Sequence, residues 1–145
     1  MTVRRVSPEE AAALIREDGY VYVDVRSIPE FDAGHPAGAY NIPLMHATAS
    51  GMKPNEDFIA VFVALFPKET KLVVGCKMGS RSLHAARVLL EAGFEHVVDQ
   101  RAGFHGTRDP FGQIQEAGWQ SAGLEVSIEA HPEKTYQAIS NRKMI

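Results

Sequence analysis

The sequence predicts an α/β domain built on a mainly parallel central sheet of about five strands with helices on both faces. Short apolar runs at Tyr20–Val25, Leu72–Val74 and His96–Asp99 alternate with helix-like patterns. Helix starts and stops, from Ser7-Pro8 to Gly19 and Gly93, fall between those runs. No internal repeat or low-complexity tract interrupts them.

Val3 to Val6 reads as a short edge strand. Ser7-Pro8-Glu9-Glu10 is a helix start, with serine as N-cap, proline at the first helical position and a glutamate reaching back. Ala11, Leu14 and Ile15 supply the buried face, and Asp18-Gly19 stops the helix. Tyr20 to Val25 is a buried strand ending in Asp24-Val25-Arg26, and Pro29 to Phe31 a short helical turn. The glycines and prolines of Gly34 to Pro43 mark a shaped loop with at most one short strand. Thr48 to Asn55 reads as a longer loop.

Glu56 to Phe66 is a helix with Phe58, Val61, Phe62 and Leu65 on one stripe, ended by Pro67. Ile59 and Val63 widen its apolar surface, so it is either deeply buried or touches a partner. Lys71 to Gly75 is the next strand. Ser80 to Glu91 is a helix, with Leu83, Ala86, Leu89 and Leu90 facing inward and Gly93 as its stop. His96 to Asp99 is a further strand. The domain is expected to span 1–124, with 125–145 as a C-terminal extension broken by Pro132.

A chain of 145 residues fits one domain with a real core. A net charge of -3 argues against a nucleic-acid or polyanion binder, but leaves room for a small anionic substrate. The lone cysteine excludes an internal disulfide and an all-cysteine zinc site, and suits a reducing, intracellular setting. The start lacks a signal-peptide core, and no stretch is long and apolar enough to cross a membrane. A cytoplasmic protein is expected. The six histidines lack ligand spacing, so no metal site is expected.

The most informative stretch is Gly75-Cys76-Lys77-Met78-Gly79-Ser80-Arg81-Ser82. It reads as strand, tight loop, helix, which places Cys76 where open α/β sheets hold their ligands. Gly75 and Gly79 let the backbone curl. The N–H groups from Lys77 to Ser82 would then point inward as a nest, and helix N-termini with nearby cations favour a thiolate. Cys76 is the candidate nucleophile, and the amides stabilise its charge and that of a bound oxyanion. Lys77 adds a mobile positive charge at the mouth, and Met78 lines the rim. Ser80 caps the helix, donates to the sulfur, or does both. Arg81 either pairs with the anion or braces the loop on a carboxylate or backbone carbonyls.

This loop resembles the active loop of the single-domain rhodaneses, the thiosulfate sulfurtransferases: cysteine, two residues, glycine, one residue, arginine, then serine. Asp24-Val25-Arg26, Glu30-Phe31, Gly34-His35 and Gly38-Ala39-Tyr40-Asn41-Ile42-Pro43 resemble that family's upstream signature, and Gly103-Phe104 and Gly118-Trp119 its downstream region. Ala102 stands where a second glycine is common. The resemblance covers about Val3 to Leu124 and implies a rhodanese-like fold. It implies that Cys76 takes the outer sulfur of thiosulfate or a similar anionic donor as a persulfide. A thiol, cyanide or a partner protein then accepts that sulfur, without metal or organic cofactor. Lys77 through Ser82 would be the substrate-binding residues. Two other readings compete: a persulfide carrier module serving partner proteins, and a phosphatase or arsenate reductase of the same fold. The related phosphatases and reductases carry a loop one residue longer.

Asp24 and Arg26 read as a structural ion pair at a strand end. His35 satisfies backbone groups in its turn. Trp119, Phe104 and Phe111 are core or pocket wall. The Glu56–Phe66 helix and the tail from Ser127 to Ile145 together suggest a homodimer contact.

Overall fold

The computed structural model describes residues 2–143. In chain order the elements begin with β1 (Arg4–Val6), α1 (Pro8–Asp18), β2 (Val21–Asp24), α2 (Ile28–Ala33), β3 (His35–Pro36) and β4 (Tyr40–Asn41). Next come β5 (Met45–Thr48), β6 (Gly51–Pro54), α3 (Phe58–Leu65), β7 (Lys71–Gly75), α4 (Ser80–Glu91) and β8 (His96–Gln100). The chain closes with β9 (Thr107–Arg108), β10 (Ile114–Glu116), β11 (Val126–Ser127) and α5 (Tyr136–Lys143). Among these residues no helix is long and apolar enough to cross a membrane.

Five strands form one sheet in the order β1-β8-β7-β2-β4, all neighbours parallel. Side chains alternate across each strand, so neighbouring residues enter opposite cores. Leu72 and Val74 of β7, Val23 of β2 and Val97 of β8 pack with Phe58, Phe62, Ala86 and Leu89. Val73, Tyr22 and Val98 pack on the other face with Ala11, Leu14 and Trp119. Both faces are thus covered, as an all-parallel sheet requires. Gly75 ends β7 where a Cβ would lie 1.8 Å from the Tyr22 hydroxyl, so no side chain fits there.

Local signals are realised closely. The Ser7 hydroxyl accepts from Glu10 N at 3.1 Å, while the Glu10 carboxylate accepts from Ser7 N at 2.9 Å. Gly19 takes a left-handed φ of 73° at the end of α1.

Several expectations are corrected. Gly34 to Pro43 holds two short strands rather than at most one. β3 pairs antiparallel with β11, and β4 joins the main sheet beside β2. Thr48 to Asn55 is not a loop but half of the β5–β6 hairpin, whose turn is fixed by the Thr48 hydroxyl donating to Gly51 O at 2.6 Å. Phe111 is neither core nor pocket wall: it is 90% exposed in the turn between β9 and β10. There the Asp109 carboxylate accepts from the N–H groups of Phe111 and Gln113, which turns the ring outward. On α4 the buried face is Ser82, Ala85, Ala86 and Leu89, while Leu83 and Leu90 are half-buried.

The C-terminal segment docks on the domain. Asn41 N donates to Lys134 O at 3.0 Å, Asn55 Nδ2 donates to the Tyr136 hydroxyl at 3.1 Å, and Ile139 of α5 is buried in the same core as Phe58 and Phe62. The apolar surplus of α3 therefore meets this chain's own tail, although Val63 stays exposed. Met144 and Ile145, the end of the extension, lie outside the described residues.

Candidate active site

β7 carries the chain to the sheet's carboxyl edge, and α4 leads it away. Cys76 to Gly79 bridge the two. Gly79 is the N-cap of α4 with a φ of 98°, left-handed backbone that favours glycine. Its N–H donates to Cys76 Sγ at 3.1 Å. The cysteine is recessed, 2% exposed, beneath the exposed Lys77, Met78 and Ser80.

The loop is held from outside by its carbonyls. Phe104 N donates to Cys76 O at 2.8 Å and His105 N to Lys77 O at 3.0 Å. Arg5 Nη2 donates to Gly79 O at 3.3 Å, and the buried Ser82 hydroxyl donates to the same oxygen at 3.4 Å. With those carbonyls engaged, the N–H of Gly79 is the one directed at the sulfur, and the first N–H groups of α4 lack intrahelical acceptors by construction. Behind the loop, Arg5 Nε binds the fully buried Asp99 at 2.7 Å. Burial pushes the Asp99 carboxyl up, against the hydrogen bond from Arg5. Gln100 clamps the turn below Phe104, donating to Gly103 O and accepting from Gly103 N, both at 2.9 Å.

Arg81 binds the Glu30 carboxylate through both terminal nitrogens, at 2.7 and 2.9 Å. Of the two sequence readings of Arg81, this is the brace on a carboxylate. Ser27 also bonds Glu30, its hydroxyl at 2.7 Å. Partial burial pushes the Glu30 carboxyl up, but the hydrogen bonds of Arg81 and Ser27 outweigh it and hold the group at about 2. A carboxyl depressed on folding stabilises above its unfolded value, and the gain disappears as pH falls through the folded value. The stability gap between wild type and Glu30→Gln is therefore expected to be constant above pH 4.5 and to close as pH falls to about 2. Urea unfolding across that range measures it, and a gap flat down to pH 2 would show that the brace carries no linked proton.

Asp24 and Arg26 are almost fully buried and paired at 2.7 Å. Arg26 Nη2 also donates to Gly34 O at 2.6 Å, and its guanidinium lies 4.5 Å over the Phe104 ring. Asn41 Nδ2 donates to the carbonyls of Asp24 and Arg26, each at 3.0 Å, so one cluster ties β2, β4 and the end of α2. His35 is buried, stacks on Phe31 at 3.7 Å and uses Nδ1 on Phe31 O at 2.8 Å.

A cavity of about 280 Å³ opens beside the loop. Arg26, Glu30, Lys77, His105, Gln120 and Val126 line it, so the residue that follows Cys76 in the chain is part of its wall. Among the described residues no group of three or more His, Cys, Asp or Glu side chains is placed to hold a metal.

Sequence reasoning brought forward the loop, Asp24 and Arg26. It missed Glu30 as the partner of Arg81, Arg5 and Asp99 behind Gly79, and His105 at the cavity. Two signals marked Glu30 itself, the Glu30-Phe31 pair of the upstream signature and the Ser27-x-x-Glu30 capping-box spacing, but neither pointed to Arg81.

Thiosulfate sulfurtransferase 16, chloroplastic, of Arabidopsis thaliana is 43% identical over 86 residues, covering 59% of this chain and 72% of that protein. Senescence-associated protein DIN1 of Raphanus sativus is 39% identical over 97 residues, or 67% of this chain. The chain spans 53% of that relative's length. The crystal structure of Rv0390 from M. tuberculosis matches with a TM-score of 0.73 at 26% identity, over 89% of this chain and 100% of that one. The rhodanese-like domain model matches residues 7–109, and the chain belongs to that family.

Proposed function

We propose that this chain is a sulfurtransferase in which Cys76 carries the sulfane sulfur as a persulfide between an anionic donor, such as thiosulfate, and a thiophilic acceptor. One observation carries the reading: a backbone N–H is aimed at Cys76 Sγ from 3.1 Å at the start of a helix. A donor in that position can hydrogen-bond the charge that the sulfur carries as it gives up and regains its bonding partner during transfer. Relatives named thiosulfate sulfurtransferase support the same chemistry.

The residues divide the work. Cys76 attacks the outer sulfur of the donor, and sulfite leaves with the bonding pair of the broken S–S bond. Lys77, exposed at the mouth, draws the anion in, because Arg26 and Arg81 are committed to Asp24 and Glu30. Gly79 supplies the N–H that holds charge on Sγ. Met78 and Ser80 form the outer rim, while Arg81 and Ser82 fix the first turn of α4. A reducing compartment such as the cytoplasm suits a thiol that must stay free.

Treatment with thiosulfate and no acceptor should add the mass of one sulfur atom to the protein. Cys76→Ala should show no adduct and lose thiosulfate-dependent thiocyanate formation. Thiocyanate production persisting in that variant would overturn the reading.

A further inference from the structure

Discharge of a persulfide to a thiol requires a proton to be removed, since an ordinary thiol titrates near about 8.5. One imidazole, that of His105, lines the cavity beside the loop. Consecutive N–H groups of Phe104 and His105 bind consecutive carbonyls of Cys76 and Lys77. This strap lays the two segments side by side, and the side chains of Lys77 and His105 line the same cavity. His35, by contrast, is buried with Nδ1 engaged on a backbone carbonyl. Neither ring nitrogen of His105 has a protein hydrogen-bond partner among the described residues.

The groups around His105 favour the neutral ring. Partial loss of water around this largely exposed ring lowers its affinity for a proton, the cations Lys77 and Arg26 lower it further, and Glu30 opposes them. Glu30 is itself neutralised by Arg81, and Gln120 of the same cavity is uncharged. Below its ordinary 6.5, the ring is a free base at neutral pH.

We propose that the cavity is the acceptor site and that His105 is the general base of the acceptor half-reaction, working on a small thiol seated there. This rests on the sulfur-carrier reading above. His105 takes the S–H proton, and the acceptor thiolate attacks the outer sulfur of the Cys76 persulfide. A new S–S bond forms as the old one breaks, and Cys76 leaves with the bonding pair as thiolate. The imidazolium returns the proton to the transferred sulfur, giving an acceptor persulfide with no net proton change.

The test compares wild type with His105→Gln, a substitution at an exposed position that leaves the core untouched. Both are loaded with thiosulfate, checked by intact mass, then mixed with glutathione or, at alkaline pH, with sulfite, which has no proton to lose. Glutathione discharge should slow about a hundredfold in the variant. Sulfite discharge should stay within about twofold, because no base is needed there. The wild-type glutathione rate should fall on the acid side with an apparent pKa below 6.5, and that limb should vanish in the variant. Equal glutathione rates, or an unchanged acid limb, would overturn the base. A parallel loss with sulfite would assign His105 to loop structure instead. Failure of wild type to load sulfur would overturn the carrier reading itself, a separate readout.

Discussion

Asp24→Ala is expected to destabilise the folded chain by about 3–5 kcal/mol. The carboxylate is 1% exposed and Arg26, its partner, 2%. Deleting the carboxylate leaves a guanidinium that cannot neutralise itself, sealed between Gly34 O and the Phe104 ring. The loss is large against a typical net stability of about 5–15 kcal/mol. It also reaches the site, because Phe104 sits beneath Arg26 and its N–H holds Cys76 O. Replacing both partners, Asp24→Ala with Arg26→Leu, should cost less than the sum of the two single changes, since no orphaned charge remains. Urea unfolding followed by the single tryptophan, Trp119, reads these values, with the midpoint moving and the slope constant. A loss below about 1 kcal/mol for Asp24→Ala would mean that water reaches Arg26 freely and that the cluster is not a buried pair.

The parts of this fold that were legible in the sequence are those written in neighbouring residues. The capping box at Ser7 and Glu10 lies within one turn, and the alternation of Leu72, Val73 and Val74 reports two buried faces within one strand. The turn that carries Cys76 was legible for the same reason: strand, cysteine, glycine and helix start are contiguous. What escaped was long-range or energetically local. β3 and β11 are two residues each, too short to show a period, and each has meaning only through a partner far along the chain. The β5–β6 hairpin is mostly exposed, so burial imposes no alternation on it.

Arg81 shows the limit at the site itself. Its carboxylate partner, Glu30, is 51 residues away, and only the folded chain brings the two together. Phe111 shows the opposite error. An aromatic ring in a glycine-rich region was expected inside, yet the Asp109 side chain organises a local turn that needs no core contact. The C-terminal extension was visible as a change of pattern, while its docking through Ile139 was not, because one buried side chain on a polar helix leaves no stripe.

Gly79→Ala should slow sulfur loading by about 10²–10³-fold, the range for losing one backbone or side-chain donor at a charged reaction centre. A Cβ at this position would lie 2.2 Å from Arg101 O and 3.0 Å from Arg5 Nη2. The first contact is backbone in the stretch between β8 and Phe104, so the loop must move rather than its neighbour. The move takes the N–H off Cys76 Sγ and disturbs the carbonyl that Arg5 and Ser82 hold. A left-handed φ of 98° adds backbone strain of about 1–3 kcal/mol, less than the chain's expected stability. Strain and geometry can be separated. Gly112 also has a left-handed φ, 81°, but nothing lies within 4 Å of its Cβ position. Gly112→Ala should therefore share the strain and keep the wild-type rate of persulfide formation. If both variants load sulfur equally slowly, the effect is one of global stability. If Gly79→Ala loads at the wild-type rate, the amide at 3.1 Å does not hold the reacting charge, and the nucleophile must be activated by something else.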